Sequence, residues 1–156
     1  MPIRTSAGLL PWRQFDGRLQ VLLGHPGGPF WTGKDAGAWS ILKGEVERGE
    51  DLLAAAVREF SEESGAVLSG PFVALGSVVQ RSGKIVHAWA CEASLEPADL
   101  FSNTCSAEWP PKSGNRVRVP EIDRYEWLDL PEARKKINPA QAEFMGRLEA
   151  AVTGPR

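Results

Sequence analysis

Residues 44 to 66 read GEVERGEDLLAAAVREFSEESGA, from Gly44 to Ala66, and this stretch decides the fold. Leu52, Leu53, Ala56, Val57 and Phe60 recur at helical spacing, which predicts an amphipathic helix. Asp51 precedes the apolar run as an N-cap, and Gly65 stands where a helix stops with a positive φ. Gly44 and Gly49 bracket a tight loop ahead of it. Three carboxylates, Glu59, Glu62 and Glu63, crowd the last turns of the helix. Residues three and four apart are surface neighbours on a helix, so Glu59 lies beside both of the others. Like charges there repel by roughly 0.2–0.5 kcal/mol per pair, a cost that a bound divalent cation turns into attraction. The cluster is a candidate site for Mg2+ or Mn2+. Leu53, Val57 and Phe60 are expected to dock on a sheet and leave the carboxylates at an open edge.

An isolated Glu-x-x-Glu-Glu is ordinarily the solvated face of a surface helix. Here nine positions agree at once: Gly44, Glu50, Arg58, Glu59, Phe60, Glu62, Glu63, Gly65 and Ala66. The segment resembles in full the signature of the Nudix (MutT-type) hydrolases, Gly-x5-Glu-x7-Arg-Glu-U-x-Glu-Glu-x-Gly-U with U bulky and apolar. The resemblance implies an α/β/α sandwich around a mixed β-sheet, formed by a single domain over residues 1 to 156. It implies that Glu59, Glu62 and Glu63 bind metal, aided by the Lys43 backbone carbonyl next to Gly44. Many such proteins add a glutamate from a loop shortly before the last strand, and Glu121 is similar in position, with Glu108 as a rival. One of the helix glutamates, or Glu121, is then expected to orient or deprotonate the attacking water. Arg58 and Glu50 are expected to pair, because a planar guanidinium with five donors suits the bracing of a loop against a helix.

Composition agrees with a folded domain. The chain has 156 residues, 42% of them hydrophobic and 24% charged, which is enough for a core. A net charge of −2 argues against a duplex nucleic-acid binder, which carries a basic face. The expected partner is a small nucleotide, with the protein a monomer or a homodimer. No stretch reaches the apolar length of a membrane span, and Met1 to Trp12 lacks the charged start and long apolar core of a signal peptide. Cys91 and Cys105 have neither metal-ligand spacing nor disulfide density, so reduced thiols in a cytoplasm are expected.

Ser6 to Trp12 and Leu19 to Gly24 are predicted to pair around the turn dipeptide Asp16-Gly17. Trp39 to Leu42 is predicted as a short strand entering the glutamate segment. Phe72 to Gln80 and Lys84 to Ala93 flank Arg81-Ser82-Gly83 as a hairpin, and Arg124 to Leu128 reads as a last strand. Pro131 to Ile137 and Pro139 to Val152 read as helices with proline near their starts. His25 and His87, at a strand end and within a strand, are read as packing residues.

Two stretches are irregular. Residues 25 to 38 are too rich in Gly and Pro for a helix or an interior strand. Their Gly28-x4-Gly33-Lys34 nearly spells a P-loop, but Asp35 stands where Ser or Thr should hold Mg2+, and no helix follows. The loop is expected to rim the cleft, with Phe30 and Trp31 either stacking on a base or anchoring the loop. Ser102 to Pro120 reads as a loop carrying Trp109-Pro110-Pro111 and the cations Lys112, Arg116 and Arg118, of which Lys112 and Arg118 are substrate-binding candidates. The Trp-Pro-Pro segment and the Gly-Pro loop resemble a group of bacterial Nudix proteins described as predicted NTP pyrophosphohydrolases.

A pyrophosphate linkage repels incoming water with its own negative charge, and divalent metals held by carboxylates relieve that repulsion and acidify the water. The expected activity is hydrolysis of the pyrophosphate linkage of a nucleoside diphosphate derivative. Nucleoside triphosphates or dinucleoside polyphosphates are favoured over ADP-ribose by the resemblance of the Trp-Pro-Pro segment and Gly-Pro loop; Arg81 to Val86 lacks the proline that tags ADP-ribose subfamilies. It also lacks the tyrosine that tags dinucleoside polyphosphate ones. The alternative is a silent nucleotide-binding or regulatory module on the same fold. Glu50, Arg58, Glu59, Glu62 and Glu63 are all present, which favours the enzyme.

Overall fold

The computed structural model describes residues 4–153. Its strands and helices are β1 (Thr5–Phe15), β2 (Arg18–Pro26), β3 (Leu42–Glu45), α1 (Leu52–Ser64), β4 (Val73–Val79), β5 (Ile85–Glu92), β6 (Thr104–Glu108), β7 (Arg116–Pro120), β8 (Ile122–Asp129), α2 (Leu130–Lys136) and α3 (Glu143–Thr153). Six strands form one mixed sheet in the order β4-β5-β1-β2-β8, with β3 added on β1, while β6 and β7 pair with each other.

The central strand β1 organises the sheet. It runs parallel to β5 from Thr5 to Trp12 on one side. On its other side the first half pairs with β3 and the second half with β2, both antiparallel. Among the described residues β2 and β3 do not pair, and an isolated bridge joins Gly24 of β2 to Ser40 just ahead of β3, so the sheet is split there. That split lies beside the glutamate helix.

Both faces of β1 and β2 are covered, which is why their central residues form unbroken apolar runs. Side chains alternate across a strand, so Leu9 and Leu22 face one layer while Leu10, Val21 and Leu23 face the other. The first layer is α1, which packs Ala55, Ala56 and Phe60 against Ala7, Leu9, Leu22, Leu42 and Ile122. The second brings Ala133 of α2 and Phe144, Met145 and Leu148 of α3 onto Leu10, Leu23, Val86 and Ala88. The result is a helix layer on each side of a mixed sheet. Leu53 and Val57 pack at the margin of the first layer, and Phe60 is fully buried.

Three expectations need correction. The stretch from Ser102 to Pro120 is not a loop but carries the β6–β7 hairpin. Its strands bury little apolar surface, and the alternation of Arg116-Val117-Arg118-Val119 is too short to stand out against the polar residues around it. Cys105 accordingly lies in a strand. The strand before the glutamate segment begins at Leu42, three residues later than the start expected at Trp39; Trp39 and Ser40 make only isolated bridges, to Ile137 and Gly24. Pro139 to Val152 is two elements, a single 3-10 turn over Pro139–Gln141 and then α3. Proline at the start of that turn fixes its φ, and the Asn138 side chain caps it at Ala140 N (3.0 Å).

Candidate active site

Helix α1 begins and ends as its residues dictate. Asp51 accepts a hydrogen bond from Ala54 N (3.0 Å), and Gly65 closes the helix with φ 76°, donating its amide to Ser61 O at 2.7 Å. The Tyr125 hydroxyl on β8 donates to the Glu63 carbonyl, tying the last turn of α1 to the sheet. Burial, with the nearby Glu63 carboxylate adding to it, pushes that phenol up to about 12.

The glutamates do not share one environment. Glu62 is exposed, Glu59 is largely covered, and Glu63 is only 4% exposed. Of the three carboxylates expected at an open edge as a cleft wall, Glu63 does line the cleft, but it is buried there rather than open to solvent. Arg58 explains the arrangement on the outer side. Its Nε and Nη2 donate to the two Glu50 oxygens at 2.8 and 2.9 Å, as the pairing read from the sequence requires. Its Nη1 donates to Glu59 Oε1 at 2.8 Å and reaches Glu62 at 3.3 Å. A further bond from Nη2 to the Glu45 carbonyl (3.2 Å) fastens the loop to the helix.

The Arg58 guanidinium holds the Glu50 carboxyl at about 2, with help from the Glu47 amide. The folded value lies below the ordinary 4.5, so this pair stabilises the fold above that pH. The contribution is lost as pH falls from about 4.5 to about 2. Glu50→Gln is expected to flatten that acid limb of the stability curve, read by denaturant midpoints at pH 5 and pH 3. An unchanged slope would mean that the pair contributes nothing to the fold.

On the inner side, Glu59, Glu63 and Glu121 converge around the Lys43 side chain. Burial raises all three carboxyls, and mutual repulsion raises them further, Glu121 acting on Glu63 and Glu62 acting on both Glu59 and Glu121. Burial, with the nearby Glu121 carboxylate adding to it, pushes the Glu63 carboxyl up to about 9. Burial and nearby Lys84 push the Lys43 ammonium down, while the three glutamates oppose that shift. Among the described residues no three His, Cys, Asp or Glu groups already stand in a ligating arrangement. The donor set nevertheless suits a hard dication: Glu63 and Glu121 line one cleft with Glu59 close beside Glu63, and among the described lining residues only the Lys43 ammonium offsets them.

Gly44 is required by packing. A Cβ there would meet Glu59 Oε2 at 1.9 Å, so the carboxylate rests directly on β3 backbone. Gly44→Ala is expected to push the Glu59 carboxylate off the β3 backbone and lower turnover about tenfold or more. Its melting temperature should stay within a few degrees, because only the end of a side chain must move. Unchanged kinetics would remove Glu59 from the site.

The cleft holds about 370 Å3 and is lined by Lys43, Glu63 and Glu121 together with Trp31, Ile41 and Ile122. Trp31 therefore stands where a rim aromatic was expected. Phe30 does not: it is 56% exposed, stacks edge-on against Trp31, and carries the Lys34 ammonium 3.5 Å over its ring. Lys34 is thus bound to the aromatics and forms no phosphate cradle. Lys112 and Arg118 stay exposed on the β6–β7 hairpin and do not line the cleft. Glu108 accepts the Lys112 and Gly114 amides at the hairpin turn (2.9 and 3.1 Å), which removes it as a rival to Glu121. His25 is buried, with its ring nitrogens on Asp123 (2.8 Å) and the Lys34 carbonyl (2.6 Å), and serves to hold the rim loop. His87 is a half-buried residue of β5.

The sequence reading missed the Lys43 side chain and the amides of Gln80, Asn138 and Gln141, which also line the cleft. Lys43 follows core residue Leu42 on a strand, so alternation could have pointed it there. The amides come from three distant segments and carry no local signal.

The NUDIX domain family model matches residues 2–148. No curated protein matches the sequence. Among solved structures the chain is similar to a C. elegans Ap4A hydrolase in a binary complex, at 20% identity and TM-score 0.68, covering 96% of this chain and 99% of that one. It is similar to the NUDIX domain of Shewanella oneidensis NrtR complexed with ADP ribose, at 13% identity and TM-score 0.69, covering 97% and 90%. A third is a NUDIX hydrolase from Nitrosomonas europaea, at 16% identity and TM-score 0.65, covering 99% and 74%. At these identities the likeness shows the fold.

Proposed function

We propose that this chain, which belongs to the Nudix family, hydrolyses the pyrophosphate linkage of a nucleoside triphosphate or a dinucleoside polyphosphate, in preference to ADP-ribose. The observation that carries the reading is the convergence of Glu63 and Glu121 on one cleft, with Glu59 close beside Glu63 and Lys43 as the only ammonium lining the cleft among the described residues. Glu59, Glu63 and Glu121, with Glu62 at the outer edge and the Lys43 carbonyl, would hold Mg2+ or Mn2+. The metal, when bound, neutralises phosphate oxygens and makes the attacking water more acidic.

The remaining work falls to this chain's own groups. Lys43 offers an ammonium to the oxygens of the bridging phosphates, where negative charge accumulates as the linkage breaks. A glutamate carboxylate, Glu59 or Glu121, accepts the proton from the water as it attacks phosphorus, and the leaving phosphate departs with the bridging oxygen. Arg58, fastened to Glu50 and the Glu45 carbonyl, fixes Glu59 so that little reorganisation is needed at the moment of reaction. Trp31 supplies an apolar wall for the nucleoside.

The test is product release from a panel of nucleoside triphosphates, dinucleoside polyphosphates and ADP-ribose with Mg2+ and with Mn2+, beside Glu59→Gln. Turnover of the first two classes, lost in the variant, is expected. A wild-type protein that binds nucleotides yet forms no product with either metal would instead be the silent binding module.

A further inference from the structure

The far part of the cleft is built of side-chain amides whose orientation is set by hydrogen bonds. Gln141 is fully buried, and its Oε1 accepts the Ile41 amide at 3.0 Å. Its Nε2 donates to Ser40 Oγ at 3.0 Å and to Gln80 Oε1 at 3.3 Å. The Ser40 hydroxyl spends its own proton on the Ile41 carbonyl at 2.7 Å. With Gln80 Oε1 occupied, the Gln80 amide is held so that its NH2 group is the one left over. Asn138 is held likewise, since its Oδ1 accepts the Ala140 amide as the cap of the Pro139–Gln141 turn. Neither Gln80 Nε2 nor Asn138 Nδ2 has a partner among the described residues, and both residues line the cleft. In both side chains the oxygen is engaged within the protein, and the NH2 is the group left for a ligand in the cleft that the two residues line.

We propose that Gln80 and Asn138 select the base of the nucleotide, favouring a base that carries a keto oxygen, guanine or uracil (thymine), over the amino-bearing adenine and cytosine. The inference rests on the reading of this cleft as the nucleotide site. The keto bases present acceptors: guanine offers O6 beside N7, and uracil or thymine offers O4. Adenine and cytosine present an exocyclic NH2 at the equivalent position, which sets donor against donor. A ligand group left facing a donor without an acceptor loses its hydrogen bond to water and gains none.

The spacing suits this assignment. Gln141 anchors the amides on Ser40 and Ile41, and the chain runs on into β3 at Lys43, which lines the cleft together with Glu63. Three extended residues span about 10 Å, on the order of a nucleoside's length, between the backbone that anchors Gln141 and the strand position beside the carboxylates. Trp31 and Ile122 line the same cleft and offer an apolar wall to a flat ring.

The experiment is metal-free binding of guanosine, uridine, adenosine and cytidine monophosphates by titration calorimetry, with ribose 5-phosphate as the base-free probe. GMP and UMP are expected to bind on the order of tenfold tighter than AMP and CMP. Asn138→Asp keeps the cap on Ala140 and Gln80→Glu keeps an oxygen for Gln141, while each replaces the free NH2 by an acceptor. Both variants are expected to erase or invert the ratio between keto and amino bases. Added charge weakens all phosphates alike, so the ratio between bases isolates the amides, and ribose 5-phosphate reports the charge. Equal affinity for the four nucleotides, no binding of any of them, or variants that keep the wild-type ratio would overturn the proposal. Selective binding without hydrolysis of any triphosphate would sink the enzymatic reading and leave the base selection standing.

Discussion

Glu63→Gln is expected to lower turnover by on the order of a hundredfold or more while leaving the folded protein as stable as before at neutral pH. The kinetic side follows from charge: one buried carboxylate among the candidate ligands becomes neutral, and each lost 1.4 kcal/mol of transition-state stabilisation is tenfold in rate. The stability side follows from burial. Glu63 is 4% exposed and its acid form is favoured, with a value of about 9, so a neutral amide of the same shape replaces the form the metal-free protein already holds.

The sign of the pH dependence separates this from a generic core lesion. A folded-state value raised from 4.5 to about 9 means that the folded protein binds its proton more tightly than the unfolded chain. The stabilisation is complete below about 4.5 and is lost as pH rises toward about 9. Thermal midpoints of the metal-free wild type should therefore decline across that window, and those of Glu63→Gln should decline less. Added Mg2+ is expected to raise the wild-type midpoint at pH 8 and to move the variant less. Two parallel pH curves would contradict the burial of a titrating carboxyl at that position.

Phe60→Ala is the complementary case, with a large cost to the fold. The ring is fully buried between α1 and the sheet, against Ala7, Leu9, Leu22 and Leu42. Truncation leaves a cavity that the two-sided sheet cannot collapse into, at a cost of roughly 3–5 kcal/mol. For a chain of this size the melting midpoint should fall by on the order of 10 °C. Where the variant remains folded, it should still turn over substrate, since no candidate ligand changes. A loss of only a degree or two would mean that α1 packs on the sheet differently.

The pair of variants also tests how helix α1 divides its labour. Its apolar residues were legible from periodicity, and its caps at Asp51 and Gly65 from residue type, because helix geometry is local. The distribution of its carboxylates was not. Neighbours on a helix surface can differ widely in exposure once another element covers part of that surface. Here β3 backbone at Gly44 receives Glu59, Tyr125 holds the last turn, and Glu63 sinks beside Glu121. The β6–β7 hairpin was misread for a related reason, since a strand that buries little leaves only a faint alternation.

From the sequence alone came the helix with its stops, the Arg58–Glu50 pairing, the succession of strands, and the family to which the signature belongs. These depend on residues near one another in the chain, where spacing maps directly onto geometry. The tertiary structure decided which glutamates face the cleft, that the Lys43 side chain enters it, and that Phe30, Lys112 and Arg118 stay outside. It also oriented the amides of Gln80 and Asn138, through Gln141 and the cap on Ala140. Those outcomes depend on segments up to about a hundred residues apart meeting at the split between β2 and β3, as the Gln141 bond to Ile41 does across 100 positions. Burial and hydrogen-bond partners at such a meeting are set by whatever arrives from the other segment, which local spacing does not encode.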